Sequence, residues 1–200
     1  MNSDYTIFNI CPEGEFFGRV KELGLIMEAA LESGRPAPGI LFSGRRWTGK
    51  TELLRRAHRD LFWNQARVSP VYYQFKDGLS AVEFAEEFIK EVLKQHVSFR
   101  RRDPALSLLP VSLDKLERRL IDEGNPLLAD FAGRHRELKD SSDQASMLKN
   151  AAGAPGLISS SSIPVFLILD DLDLAPPAVM KELGAALSAK AFPFIASVRP

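Results

Sequence analysis

The octet Gly44-Arg45-Arg46-Trp47-Thr48-Gly49-Lys50-Thr51 constrains the fold of this chain more than any other feature. It matches G-x-x-x-x-G-K-[ST] at every fixed position, a pattern with a defined mechanical meaning. Its glycines let the backbone wrap closely, so that N–H groups point inward at phosphate. The helix predicted to begin near Gly49 adds its positive N-terminal end to that site. Lys50 supplies a full charge, nominally about 4 kcal/mol of attraction at ~4 Å with an effective dielectric of about 20. The Thr51 hydroxyl is placed to ligate Mg²⁺. Such a loop belongs between a strand and a helix. The sequence provides both, with the apolar run Ile40-Leu41-Phe42 before it and a helix to about Phe62 after it.

The same alternation continues along the chain. Arg19 to Ser33 reads as a helix with Val20, Leu23, Ile26, Met27, Ala30 and Leu31 on one face and Gly34 at the C-terminal cap position. Val71 to Phe75 reads as a strand, closed by Asp77-Gly78. Ser80 and Glu83 form a capping box that opens an amphipathic helix to about Gln95. Phe99 to Ser162 is the least periodic stretch. Helices are predicted near Ser112 to Asp122, Asn125 to Leu138 and Gln144 to Ala152, and Ser159 to Ser162 reads as a solvent loop. Val165 to Leu169 is an uninterrupted apolar strand ending in Asp170-Asp171. Pro176 and Pro177 suit the first turn of a helix running to about Lys190, and Phe194 to Val198 is a last apolar strand. Three of the four strands are apolar on both faces, as in a parallel sheet covered by helices on each side. The expected fold class is therefore α/β and three-layered.

A buried parallel strand that ends in a carboxylate delivers that group to the carboxyl edge of the sheet, where ligands bind. Asp170 is thus expected to hold Mg²⁺ through water, opposite Thr51. Asp171 is expected to polarise an attacking water; as a second carboxylate it also suits a helix cap or a surface position.

Composition closes off other classes. Two hundred residues suffice for one domain with a genuine core. Lys plus Arg and Asp plus Glu both number 26, so no global field draws the chain to nucleic acid or membrane. Arg100, Arg101 and Arg102 form a small basic run that reads as a solvated loop. Cys11 is the only cysteine, which leaves no disulfide framework and points to a reducing compartment. His58, His96 and His135 lie far apart without metal-ligand spacing and read as surface or helix-face residues. Met1 to Ile10 lacks the basic and apolar regions of a signal peptide, and Ile163 to Leu169 is too short to span a bilayer. The expected location is cytoplasmic. Phe17, Phe62, Trp63, Tyr72 and Tyr73 are expected in the core and not as base-stacking platforms.

A further segment precedes the loop. Phe17-Gly18-Arg19-Val20-Lys21-Glu22-Leu23, followed by the Gly44 to Thr51 octet, resembles the AAA+/STAND class of P-loop ATPases, in particular its archaeal-type ATPase branch. The Asp170-Asp171 ending is similar to that group's as well. The likeness covers both ends of the chain and hardly touches Phe99 to Ser162. It implies ATP and Mg²⁺ as ligands, with an adenine pocket partly lined by Phe17, Gly18 and Arg19. It implies a parallel sheet ordered 5-1-4-3-2, the loop strand being numbered first. Ile195 to Pro200 resembles the fourth strand of that order, so Arg199 or Ser197 would sense the γ-phosphate. Many such ATPases place Glu where Asp171 stands, and the shorter side chain implies slow hydrolysis. The implied function is ATP binding and slow hydrolysis in a nucleotide-dependent switch or motor module. The alternatives are a small-molecule or nucleoside kinase, for which no acceptor pocket or lid is legible, and a nucleotide-binding module without hydrolysis. Residues 1–200 then read as one nucleotide-binding domain, incomplete at its C-terminus because strand five and the helical lid would lie beyond Pro200. A protein partner or further domains of the same polypeptide would complete it, and Ile40-Leu41-Phe42 would line an open sheet edge.

Overall fold

A computed structural model describes residues 8, 11, 18–31, 39–161, 163–189 and 192–200. The elements are α1 (Val20–Leu31), β1 (Ile40–Ser43), α2 (Lys50–Asn64), β2 (Ser69–Gln74), α3 (Ala81–Arg101), α4 (Ala105–Leu108), α5 (Leu113–Asp122), α6 (Pro126–Asp140), α7 (Gln144–Ser161), β3 (Val165–Asp170), a 3₁₀ turn (Leu172–Leu174), α8 (Pro177–Ser188) and β4 (Phe194–Val198). The strands pair in parallel in the order β1-β4-β3-β2. This is the 1-4-3-2 portion of the expected order, and among the described residues no strand lies outside β1.

Strand parity sorts the layers, because alternate side chains leave a strand on opposite faces. Val71, Tyr73, Leu167, Leu169 and Ala196 pack on one face with side chains of α3 and α5 to α8. Tyr72, Phe166, Ile168 and Ile195 pack on the other with Ile26 of α1 and Leu53, Leu54, Ala57 and Leu61 of α2. Helices therefore cover both faces of an all-parallel α/β sheet. Central β3 is buried at every position, as a strand covered twice must be. Edge strand β1 alternates between half-buried and exposed, and Leu41 is 60% exposed. Among the described residues, no helix is long and apolar enough to cross a membrane.

The opposite edge, β2, is closed by a side chain. The Gln95 amide accepts from the Tyr72 N–H and donates to the Tyr72 carbonyl, both at 2.8 Å. One glutamine thereby occupies the backbone groups that an unpaired edge would offer to another strand. Helix α3, which carries it, starts at the expected capping box: Ser80 Oγ accepts from Glu83 N–H, and Glu83 Oε2 accepts from Ser80 N–H.

Three expectations need correction. Helix α3 runs past Gln95 to Arg101, because Val97 and Phe99 continue its buried face. Arg100 and Arg101 are its last turn and not a loop, and Arg102 is the left-handed cap with φ 54°. The Arg102 guanidinium lies 4.2 Å over the Phe99 ring and donates to the carbonyls of Phe62 and Gln65 at the end of α2, supplying partners that helix carbonyls there would otherwise lack. Likewise α7 extends through Ser161, although Ser159 to Ser162 reads as a loop. The Ser159 hydroxyl donates to Pro155 O at 2.7 Å and accepts from Val165 N–H at 2.9 Å, tying the helix end to the start of β3. Finally, His58, His96 and His135 sit on helix faces but are buried and not at the surface. Phe17, Gly34, Ser162 and Lys190 lie outside the described residues.

Candidate functional site

The loop from Gly44 to Gly49 leaves the carboxyl end of β1 and enters the first turn of α2. Gly44 N–H donates to Val198 O of β4 at 3.4 Å, continuing the strand ladder into the loop. Gly49 closes the turn with φ 79°, a conformation that costs other residues about 1–2 kcal/mol. A Cβ on Gly44 would lie 3.2 Å from Thr48 Oγ1 and 3.9 Å from Lys50 Nζ, so a larger residue would crowd the cradle that these side chains share. Lys50 Nζ turns inward and donates to Gly44 O at 2.5 Å and Arg45 O at 3.0 Å. Thr48 Oγ1 also donates to Arg45 O, at 2.9 Å. The Gly44 and Arg45 carbonyls thus accept from the Lys50 ammonium, and the Arg45 carbonyl from Thr48 as well.

The segment ahead of α1 reaches the same loop. Arg19 Nη2 donates to Thr48 O at 2.7 Å, while its Nη1 pairs with Glu22 at 2.7 Å and holds that carboxyl below its usual range. Gly18, beside it, has φ 78°. Trp47 also has positive φ, and its side chain is wholly exposed.

A cavity of about 680 Å³ opens beside the loop. Of the residues expected at the site, Arg46, Trp47, Thr48, Gly49, Lys50, Thr51, Asp171 and Arg199 line it. Glu52, Gln74 and Leu174 line it too and were not expected. Gln74 ends β2 at the carboxyl edge, so ending the predicted strand one residue earlier than Phe75 would have exposed it as a site residue. Glu52 lies in the first turn of α2, where its Oε1 accepts from Cys11 N–H at 2.8 Å.

The two aspartates differ sharply. Asp170 is fully buried and does not line the cavity. Its Oδ1 accepts from Ser197 Oγ and from Asp171 N–H, and its Oδ2 accepts from Tyr72 Oη at 2.7 Å. A carboxylate offers about four acceptor sites, so three are in use. Burial raises the Tyr72 pKa, and the adjoining Asp170 charge raises it further, which keeps the phenol a donor. Asp171 takes a left-handed conformation, φ 53°, which turns it out of the strand into the cavity wall. There its Oδ2 accepts from Gln74 Nε2 at 3.0 Å, and its N–H also reaches Ser197 Oγ at 3.1 Å. Ser197 thus serves both aspartates from β4. Arg199 is paired with Asp173 through its Nε at 2.7 Å and its backbone N–H at 3.0 Å. Burial alone would raise the Asp173 pKa, but those bonds from Arg199 hold it below the usual value.

Among the described residues, no three His, Cys, Asp or Glu side chains cluster as a protein-only metal cage. Mg²⁺ taken up with phosphates needs only one or two protein ligands; Thr51 lines the cavity, whereas Asp170 is buried away from it. Comparison with protein-family models, with curated proteins and with solved structures finds no match for this chain.

Proposed function

We propose that this chain binds ATP with Mg²⁺ and hydrolyses it slowly, as a nucleotide-dependent switch of the AAA+/STAND type. One observation carries the reading: Lys50, whose ammonium bonds the carbonyls of a tight glycine loop, lines a single cavity with Asp171 and Arg199. The loop N–H groups, the start of α2 and the Lys50 ammonium hold the phosphates. Mg²⁺, when bound, neutralises charge on the β- and γ-oxygens. Thr51 would hold the ion through its hydroxyl, and Asp170 would contribute its negative charge from inside the sheet edge. Asp171, aimed by the Gln74 amide, orients the water that attacks. Arg199 leaves Asp173 to meet charge developing on the γ-phosphoryl group, an exchange of one anionic partner for another. Trp47, which lines the cavity, and the Gly18-Arg19 segment, which Arg19 ties to the Thr48 carbonyl, would border the base. A switch needs two nucleotide-sensitive arrangements and not fast turnover.

The test is nucleotide binding followed by thermal unfolding. Mg-ATP at about a hundred times its Kd should stabilise the native chain by roughly 2.7 kcal/mol. Lys50→Ala should remove most of that shift and leave the apo stability unchanged, because Lys50 bonds only loop carbonyls. Asp171→Asn should keep the binding and lose the hydrolysis. Undiminished ATP affinity in Lys50→Ala would overturn the assignment.

A further inference from the structure

A second cavity, of about 660 Å³, runs along the β2 edge between α2, α3 and the segment around Val111. It meets the first at Gln74, which lines both. Its lining contains polar groups that the fold leaves without partners. The Tyr73 hydroxyl has no hydrogen bond, although the residue is only 4% exposed. Arg55 Nε is likewise buried and unpaired. A buried donor without an acceptor costs about 1–3 kcal/mol, a penalty that a ligand can relieve. The acids in the wall are already engaged: Glu87 pairs with Lys76 at 2.9 Å and Glu91 with Lys94 at 2.6 Å. Lys90, between them on α3, has no ion-pair partner among the described residues. The unmet demand is thus for acceptors and about one negative charge. A dianion would sit poorly beside Glu87 and Glu91, whereas a carboxylate supplies both acceptors and a single charge.

We propose that this cavity is a ligand site for a small organic carboxylate, whose oxygens accept from Tyr73 and Lys90 on the α3 side while its apolar part lies against Leu109, Pro110 and Val111. Gln74 connects the site to Asp171. Its Oε1 accepts from Arg55 Nη2 at a long 3.3 Å, and its Nε2 donates to Asp171 Oδ2 at 3.0 Å. A ligand long enough to reach Arg55 on the far side of the β2 edge would release the Gln74 amide and shift the aspartate facing the first cavity. That coupling rests on the ATPase reading, whereas the ligand site stands on its own geometry.

The experiment is saturation-transfer NMR on the full chain with benzoate and hexanoate, with benzamide as the neutral control and phenyl phosphate as the dianion. Both carboxylates should bind in the millimolar range and more tightly than either control. Tyr73→Phe and Lys90→Gln should each weaken benzoate by about tenfold, the effect of one charge-assisted hydrogen bond, with Mg-ATP affinity unchanged. Tyr73→Phe keeps the ring that packs edge-on against Phe75, Phe84 and Phe88, so the variant retains its core. The proposal is overturned if neither carboxylate binds, if benzamide or phenyl phosphate binds as tightly as benzoate, or if both variants bind benzoate as the native chain does. Benzoate binding in a native chain that takes up no Mg-ATP would sink the ATPase reading and its coupling and leave this site standing.

Discussion

Lowering the pH from 7 to 5 should cost this fold about 3–4 kcal/mol through two histidines, His58 and His96, both driven to a pKa of about 4 from 6.5. Burial is the main cause for each. At His58 it outweighs hydrogen bonding to Gln95 and to the Pro70 backbone; at His96 the Arg100 charge one turn along α3 adds to it. His58 stacks 6.2 Å from the Phe62 ring, and neither ring nitrogen of His96 has a partner. A depressed pKa means that the folded state refuses protons the unfolded chain accepts. Stability is therefore full above about pH 6.5, falls between about 6.5 and 4, and levels off below. Within that window each group contributes a slope of about 1.4 kcal/mol per pH unit, less near its upper end, which gives a little under 2 kcal/mol per histidine from pH 7 to 5. Against a typical total of about 5–15 kcal/mol this is a large share. His135, whose pKa burial also lowers, adds to the loss in the same window, whereas Asp173, Glu22 and Glu83, whose pKa values are lowered, contribute mainly below it. Urea denaturation at constant ionic strength and pH 7, 6 and 5 measures the loss. His96→Leu should remove a little under 2 kcal/mol of the loss between pH 7 and 5 and leave stability at pH 7 equal or higher, since it replaces two unpaired nitrogens by apolar surface. An identical pH slope in native and variant chains would refute the reasoning.

Asp170→Asn should lower stability by about 1–3 kcal/mol even without nucleotide, because an amide cannot accept from Ser197, Asp171 and Tyr72 as the carboxylate does. Tyr72→Phe should cost about 1–2 kcal/mol, and the double variant should cost less than the sum, which a double-mutant cycle in urea will read. Gln95→Leu leaves the Tyr72 N–H and carbonyl facing an apolar side chain, for a loss of about 2–6 kcal/mol and concentration-dependent association by light scattering. A loss below about 1 kcal/mol would mean that water replaces the amide at that edge.

What the sequence disclosed was whatever is written locally. The glycine loop, the Ser80–Glu83 cap and the five-residue apolar run before Asp170 each occupy a few consecutive positions, and each lies where it was expected. Polar contacts between distant segments were invisible. Nothing near Arg102 announces that its guanidinium ends a helix forty residues earlier in the chain. Nothing near Gln95 announces that it closes a sheet edge 23 residues before it. Such pairings carry no period, because one well-placed donor suffices. Ser159 misled for a related reason: serines favour loops when their hydroxyls compete for backbone groups, and here the same hydroxyl serves the helix and the following strand together.

The Asp170 environment nonetheless obeys a rule that strand parity contains. Residues 166, 168 and 170 of β3 point to the α2 face, and register sets Gln74 directly opposite Asp170 and Tyr72 opposite Ile168. Tyr72 is therefore a diagonal neighbour on the same face, a separation that an aromatic side chain bridges. On the other flank, carrying the Leu169–Ala196 pairing one residue further sets Ser197 beside Asp170, and Ser197 is paired with Phe42 of β1. A single row thus crosses the carboxyl edge from Phe42 through Ser197 and Asp170 to Gln74, on the face that α2 covers. Asp170 is the member of that row with acceptors on both sides, so its neighbours fill them and hold it rigid. Asp171 has left the strand, escapes the row and faces the cavity. One residue of chain, with the sign of φ reversed, separates a carboxyl held inside that row from one that lines the cavity.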